Sequence, residues 1–301
     1  MGELGIGDIH ETSTSEIKNK KQFPGYIQTT TELEFKELGF YDHNIDSRLN
    51  ILGISTTNTP ENKQSPKNRS TSEDALIYSL DYAKKKHDCN TVLVKLRELE
   101  IAPCEGFYSA DKTSCQWPCF ITERDQDKDK MDIIYYGIVK WADIVLVSTP
   151  IRFGNASATY YKMAERLNSV HNQMTISKQD VDLIKDKVAG FIITGGQDGV
   201  QAVAGQLMTF WSEMGFIFPR YSYVGWNRGW YAENTKWNYP LLMKSPEFKA
   251  DLENVIDSAV DLKKRLNSTS YSDEEYHRKF TKDRQVPEQY DPASEIMMNK
   301  T

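Results

Sequence analysis

Three segments of the chain concentrate hydroxyls, glycines and cations where a strand-like run gives way to a helical one. The first begins at Ser55 and ends in Ser65-Pro66-Lys67-Asn68-Arg69-Ser70-Thr71-Ser72, after which a helical pattern starts at Glu73. Backbone N–H groups at a helix start, joined by Ser and Thr hydroxyls, make a neutral cradle for a phosphate. Ser70 with Glu73 also fits a capping box, which satisfies the same N–H groups with no ligand. The second segment, Thr149-Pro150-Ile151-Arg152-Phe153-Gly154-Asn155-Ala156, follows the apolar run Val145-Leu146-Val147. Its backbone suits the edge of a flat heteroaromatic ring, with Ile151 and Phe153 for apolar contact and Asn155 as a donor–acceptor pair. An ordinary strand-to-helix turn punctuated by Pro150 is the alternative. The third, Thr194-Gly195-Gly196-Gln197-Asp198-Gly199, permits close backbone approach to a ligand and is a weak signal alone. Neither a Walker loop nor a Gly-x-Gly-x-x-Gly fingerprint occurs.

Four cysteines are too few to staple a chain of this length. Cys104, Cys115 and Cys119 follow the spacing Cys-x10-Cys-x3-Cys, and a fourth ligand is missing unless the chain folds back to Cys89. A cubane normally takes four thiolates, and the closest histidine, His87, sits beside Cys89, so no metal site is expected. His171 reads as a surface residue or a helix C-terminal dipole partner. The aromatic stretch Tyr221–Tyr231 fits a pocket wall, and equally the cement of an irregular insertion or a dimer interface. No Ser-His-Asp or paired-carboxylate arrangement stands out.

The elements that must position these loops alternate. Strands are expected at Leu49–Ser55, Thr91–Leu96, Ile144–Ser148, Lys187–Thr194 and Phe216–Tyr223, with helices at about 73–86, 128–141, 157–170, 200–215 and 246–266. In the last helix Phe248, Leu252, Val255, Ala259, Leu262 and Leu266 share one stripe. Such alternation implies an α/β domain with a five-stranded parallel sheet, doubly wound, in strand order 2-1-3-4-5. The three loops then share its carboxyl edge, where such sheets bind ligands. This domain is expected over residues 48–266, between polar extensions at 1–47 and 267–301; Phe35, Leu38, Phe40 and Tyr41 form a short element that packs on it.

The 301 residues carry a net charge of −6, which argues against a general affinity for nucleic acid. No apolar run approaches the roughly 20 residues of a membrane span. The N-terminal residues show no secretory pattern, and Ile6 stands where a myristoylation signal has Ser or Thr, so a cytoplasmic protein is expected.

Taken together, the loops resemble those of the flavodoxin-like NAD(P)H-dependent FMN reductases, the group that includes the iron–sulfur flavoproteins. Ser65–Ser72 is similar to that family's Ser-Pro-Arg-rich phosphate loop. Thr149–Asn155, with Lys162 and Arg166 downstream, is similar to its Ser/Thr-Pro-x-Tyr-Phe-Gly segment, and Thr194-Gly195-Gly196 to its third flavin loop. The resemblance covers about Leu49 to Leu266. It implies a flavodoxin-like fold and FMN as cofactor. The FMN phosphate would lie at Ser65, Lys67, Asn68, Ser70 and Ser72, and the isoalloxazine at Pro150, Ile151, Arg152, Phe153, Gly154, Asn155, Gly195 and Gly196, with Ser55, Thr149 and Thr194 as further cofactor-binding residues. It further implies NADH or NADPH as donor, a quinone, flavin or similar small-molecule acceptor, and a homodimer or homotetramer. No side chain is needed as acid or base, because flavin N5 carries the hydride. An electron carrier of the flavodoxin type, and a flavin-free binding protein on the same fold, are the alternatives. Departures from the family pattern are about nine extra residues in the first loop, Thr56–Gln64, Arg152 where an aromatic is frequent, and Glu165 where Asp is frequent.

Overall fold

The computed structural model describes residues 32–40, 47–60, 70–110, 114–125, 128–175, 183–195, 199–227, 241–242 and 244–269. The chain divides into two compact units, residues 1–264 and 265–301; of the second, only 265–269 fall within the described residues.

In chain order the elements are α1 (Glu32–Glu37), β1 (Asn50–Ser55), α2 (Thr71–His87), β2 (Asn90–Lys95), α3 (Phe120–Arg124), α4 (Met131–Tyr135), β3 (Ile144–Pro150), α5 (Ala158–Thr175), β4 (Val188–Gly195), α6 (Val200–Glu213), β5 (Tyr223–Asn227) and α7 (Pro246–Thr269). The strands form one parallel sheet in the order β2-β1-β3-β4-β5, a flavodoxin-like doubly wound arrangement. The register puts the ends of β1 and β3 side by side, Ser55 opposite Ser148, and pairs Pro150 with Thr194.

Central strands buried on both faces carry near-continuous apolar runs, and β1 and β3 are buried throughout, with polar residues at their ends. One face of the sheet packs against α1, α4, α5 and α6, where Leu52, Ile54, Val145, Val147, Phe191 and Ile193 meet Phe40, Ile134, Leu167 and Leu207 in one core. The other face carries α2 and α7. Leu76 and Leu80 lie so close over β1 that a Cβ at Gly53 would stand 2.7 Å from Leu80 Cδ1. Between α2 and α7, Tyr78 donates to Glu253 at 2.6 Å, and His87 Nε2 lies 2.6 Å from Asp257. Phe35 and Phe40 are each 3% exposed and pack on the domain as expected, whereas Leu38 is 38% exposed and Tyr41 lies outside the described residues.

Three local expectations are corrected. The fifth strand is Tyr223–Asn227 rather than Phe216–Tyr223. The apolar run at 216–218 makes only an isolated bridge, Ile217 to Val188, because Pro219 has no N–H to extend a ladder and restricts the residue before it. The helix expected from 128 starts at Met131 and continues as a π-helical turn over Tyr136–Trp141. Residue 129 stays outside it because the Asp129 carboxylate accepts Ala102 N–H at 2.8 Å and binds Arg166. The last helix runs to Thr269, past the expected end at 266.

Candidate functional site

The C-terminal ends of β1, β3 and β4 bring the first, second and third loops to one edge of the sheet. Ser65, Lys67 and Asn68, and Gly196 of the third loop, lie outside the described residues.

The first and second loops are joined by hydroxyls. Thr56 N–H and Oγ1 both donate to Ser148 O, each at 3.0 Å. Ser157 Oγ donates to Thr56 O at 2.6 Å and accepts Tyr160 N–H at 3.2 Å, so the residue that caps α5 also ties down the chain leaving β1. Thr149 Oγ1 accepts Ser157 N–H at 3.1 Å. These bonds fix the entry to each loop before any ligand arrives. Thr56 and Ser157 were not among the expected site residues. The only signal for Ser157 was its position ahead of a helical run.

Ser70 holds the N-cap position of α2 but makes no side-chain cap; its hydroxyl lies 3.0 Å from that of Ser72. The capping-box alternative is therefore not realised. Glu73 turns the other way, accepting Ser55 Oγ–H at 2.6 Å and both Nη groups of Arg97, with Lys95 Nζ 3.9 Å away. Ser55 is thus committed to Glu73 and fully buried, and its hydroxyl is not available to a ligand. The same contacts place two cations around the carboxylate in the first turn of α2. Asp74, the second acidic residue of this turn, remains at the positive end of the helix.

The second loop is a two-residue turn. Arg152 N–H donates to Asn155 O at 2.8 Å, and Asn155 N–H to Arg152 O at 3.0 Å. Phe153 and Gly154 have φ of +49° and +75°. This is the primed-turn geometry that Gly accepts freely and a bulky residue resists. Phe153 nevertheless sits at its tip, 95% exposed. Asn155 spends its side chain on the turn, donating to Phe153 O at 2.9 Å. Ile151 is 6% exposed and faces inward: a Cβ on Gly195 would stand 2.9 Å from Ile151 Cβ. The third loop therefore needs glycine here so that the second can close over it. Ile151 N–H donates to Thr194 O at 2.8 Å, completing the contact. Arg152 is exposed at the turn, its Nη1 3.3 Å from Ile151 O.

Other groups outside the three loops also have defined surroundings. Ser148 Oγ, at the end of β3, has no hydrogen-bond partner among the described residues. Burial pushes the Tyr160 phenol well above its ordinary value, which keeps it neutral. His171 Nδ1 lies 3.0 Å from Glu213 O at the end of α6, so it meets a helix C-terminus as expected, though that of a neighbouring helix. Trp226 packs against Phe248 of α7, with ring centroids 6.1 Å apart, and the rest of the aromatic stretch from residue 228 lies outside the described residues. Among the described residues no group of three or more His, Cys, Asp or Glu side chains is arranged to hold a metal ion, and no helix is long and apolar enough to cross a membrane.

An uncapped helix start lined with hydroxyls, an exposed turn after β3 and a glycine seat after β4 define a flavodoxin-like α/β protein whose ligand edge fits a phosphorylated planar cofactor. Residues 64–231, more than half of the chain, match the NADPH-dependent FMN reductase family. The chain belongs to that family, and with it to the FMN-dependent oxidoreductases. No curated protein sequence matches. Among solved structures, the fold is similar to that of RosB with the bound intermediate 8-demethyl-8-formylriboflavin-5'-phosphate. That match has a TM-score of 0.59 and 18% identity, and covers 78% of this chain and 86% of that one. An NADH:FMN oxidoreductase, EMOB, in its apo form is 15% identical at a TM-score of 0.46, over 74% of this chain and 92% of that one. An azoreductase from Bacillus anthracis is 16% identical at a TM-score of 0.46, over 71% and 99%. At 18% identity the likeness to RosB is one of fold.

Proposed function

We propose that this protein is an NAD(P)H-dependent FMN reductase that passes electrons to a quinone, a free flavin or a similar small acceptor, acting as a homodimer or homotetramer. The observation that carries the reading is the Arg152–Asn155 turn: an exposed aromatic held in a costly backbone conformation at the sheet edge where α2 also begins. When bound, FMN supplies the hydride and electron chemistry through its ring. The work of this chain is to hold and orient it. Ser70 and Ser72, with Ser65, Lys67 and Asn68, take the phosphate, which the N–H groups of α2 favour electrostatically. Backbone groups of residues 150–155 meet the ring edge, and Gly195 with Gly196 lets the chain after β4 approach from the other side. Phe153 offers a face to the nicotinamide or the acceptor, and Arg152 a cation to a phosphate or to the reduced ring.

The test is the visible spectrum of the protein purified without added cofactor, followed by NADH and NADPH oxidation with a quinone and with free FMN. A flavin spectrum with FMN in the extract, and turnover with either donor, is the expected result. A colourless protein that takes up no added FMN would overturn the reading. Bound FMN with no turnover on either donor would leave an electron carrier.

A further inference from the structure

The ends of β1 and β2 meet the start of α2 through a buried ion pair. The register sets Ser55 opposite Lys95, and Arg97 follows in the turn after β2. Glu73, in the first turn of α2, is 6% exposed. It accepts hydrogen bonds from both Nη groups of Arg97, one of them at 2.9 Å, and from Ser55 Oγ–H at 2.6 Å. The Arg97 side chain is itself only 10% exposed. We propose, on the reading that Ser70 and Ser72 take the flavin phosphate, that Arg97 is a positioning residue that suits the start of α2 to a dianion: by cancelling the Glu73 charge it makes the chain prefer FMN to uncharged riboflavin.

The positive end of a helix draws any anion, and acidic side chains of its own first turn compete there with a ligand. Glu73 and Asp74 both stand in that turn. Little water surrounds a carboxylate as buried as that of Glu73, so its charge, left alone, would repel a phosphate at the neighbouring Ser72 with little screening. Arg97 removes that repulsion. Its two-pronged contact fixes the guanidinium on the carboxylate, a geometry that Lys lacks. Lys95 stands farther off and is shared, its Nζ 3.9 Å from Glu73 Oε1 and 3.7 Å from Glu98 Oε1. Arg97 Nη2 also lies 3.7 Å from Glu98, whose side chain is 58% exposed and well screened. Asp74 is untouched by a change at Arg97 or Glu73.

The pair also ties the first turn of α2 to the end of β1 through Ser55, so it has a mechanical part as well as an electrostatic one. The two parts make opposite demands on Glu73. Gln at this position keeps an acceptor for Ser55 and Arg97 and loses the charge. A tie that matters only for the fold is weakened by that change. A site that needs the charge cancelled is left as good or better.

The test is titration of the full-length flavin-free chain with FMN and with riboflavin, read by flavin fluorescence. The variants are Arg97→Met, Glu73→Gln and the double substitution. Riboflavin corrects for whatever each change does at the ring end of the site. The ratio of FMN to riboflavin affinity is expected to fall about tenfold or more in Arg97→Met, and to return to within about threefold of the wild type in the double variant. In Glu73→Gln it should equal or exceed the wild-type ratio. Parallel loss of FMN and riboflavin affinity in Arg97→Met, or a double variant no better than Arg97→Met, would overturn the proposal. If Arg97→Met does not fold around its uncompensated carboxylate, Glu73→Gln decides alone, and a ratio below the wild type overturns the proposal. A wild-type chain that binds FMN and riboflavin equally, with Ser70→Ala, Ser72→Ala changing neither, would refute the phosphate placement itself and the role of Arg97 with it.

Discussion

Replacing Phe153 with Asn separates the part this residue plays in the fold from its part in ligand binding. At φ +49° an ordinary L-residue gives up about 1–2 kcal/mol relative to the right-handed region, and Asn recovers part of that through its short polar side chain. Little packing is lost in exchange, because Phe153 is 95% exposed and buries almost no apolar surface. The flavin-free variant is therefore expected to be more stable by about 0.5–1 kcal/mol, a rise in Tm of about 1–2 °C for a domain of this size. Ligand binding should move the opposite way. An aromatic contact contributes about 0.5–1.5 kcal/mol beyond area, so KM for the nicotinamide or the acceptor should rise about tenfold or less, with the phosphate end unaffected. Urea unfolding of the flavin-free protein gives the first quantity and steady-state kinetics the second. A variant destabilised by about 1 kcal/mol or more would mean that the ring packs within the chain. Unchanged KM values for both substrates would mean that the exposed ring faces neither.

Three further perturbations probe other parts of the molecule. Gly195→Ala drives a Cβ to 2.9 Å from Ile151 Cβ, next to the backbone, and is expected to cost about 1–3 kcal/mol of stability and at least about tenfold in FMN affinity; fluorescence titration that shows wild-type affinity would remove the third loop from the site. The double substitution Ser70→Ala, Ser72→Ala removes hydroxyls that cap nothing, so α2 should keep its stability while FMN binding weakens by about tenfold or more; unchanged affinity refutes the phosphate placement. Cys89 gives a pH signature. Its thiol holds a proton to about 11 in the fold against an ordinary 9.0, so between these values the folded state binds more protons than the unfolded one. The stability it contributes is present below about pH 9 and lost as pH rises to 11, on the order of 2–3 kcal/mol, and Cys89→Ala should flatten that slope in urea unfolding.

The order of the sheet was legible because each central strand is buried on both faces and so spells a continuous apolar run, as in Val145-Leu146-Val147. Burial is a weaker guide at the sheet's edge. Phe216–Phe218 has the apolar content of a strand but carries Pro219 next to it, and the ladder to β4 begins only at Tyr223. The partners of Asp129 were beyond reach for a related reason. The pattern puts residue 129 inside the helix expected from 128, whereas its carboxylate is buried against Arg166, a residue 37 positions away.

The same limit explains the mixed outcome at the candidate site. Residue types marked the three loops, but types do not say whether a hydroxyl serves a ligand or the loop itself. Ser55, Thr149 and Asn155 read as cofactor contacts in the sequence, and the structure commits their side chains to Glu73, Ser157 and Phe153 O. Ser70 was equally readable as a cap, and there the structure leaves the hydroxyl with Ser72 alone. The reassignment has a physical logic. A loop that must present backbone N–H and C=O groups to a ligand needs those groups held still, and side-chain bonds made before binding supply that order without drawing on the ligand's affinity. Under the proposed function, specificity at this edge would rest on the hydroxyls of Ser70 and Ser72, the ring of Phe153 and the cation of Arg152. Their loss should change binding more than it changes folding. Loss of Thr56 or Ser157, whose bonds join the first loop to the second, should do the reverse.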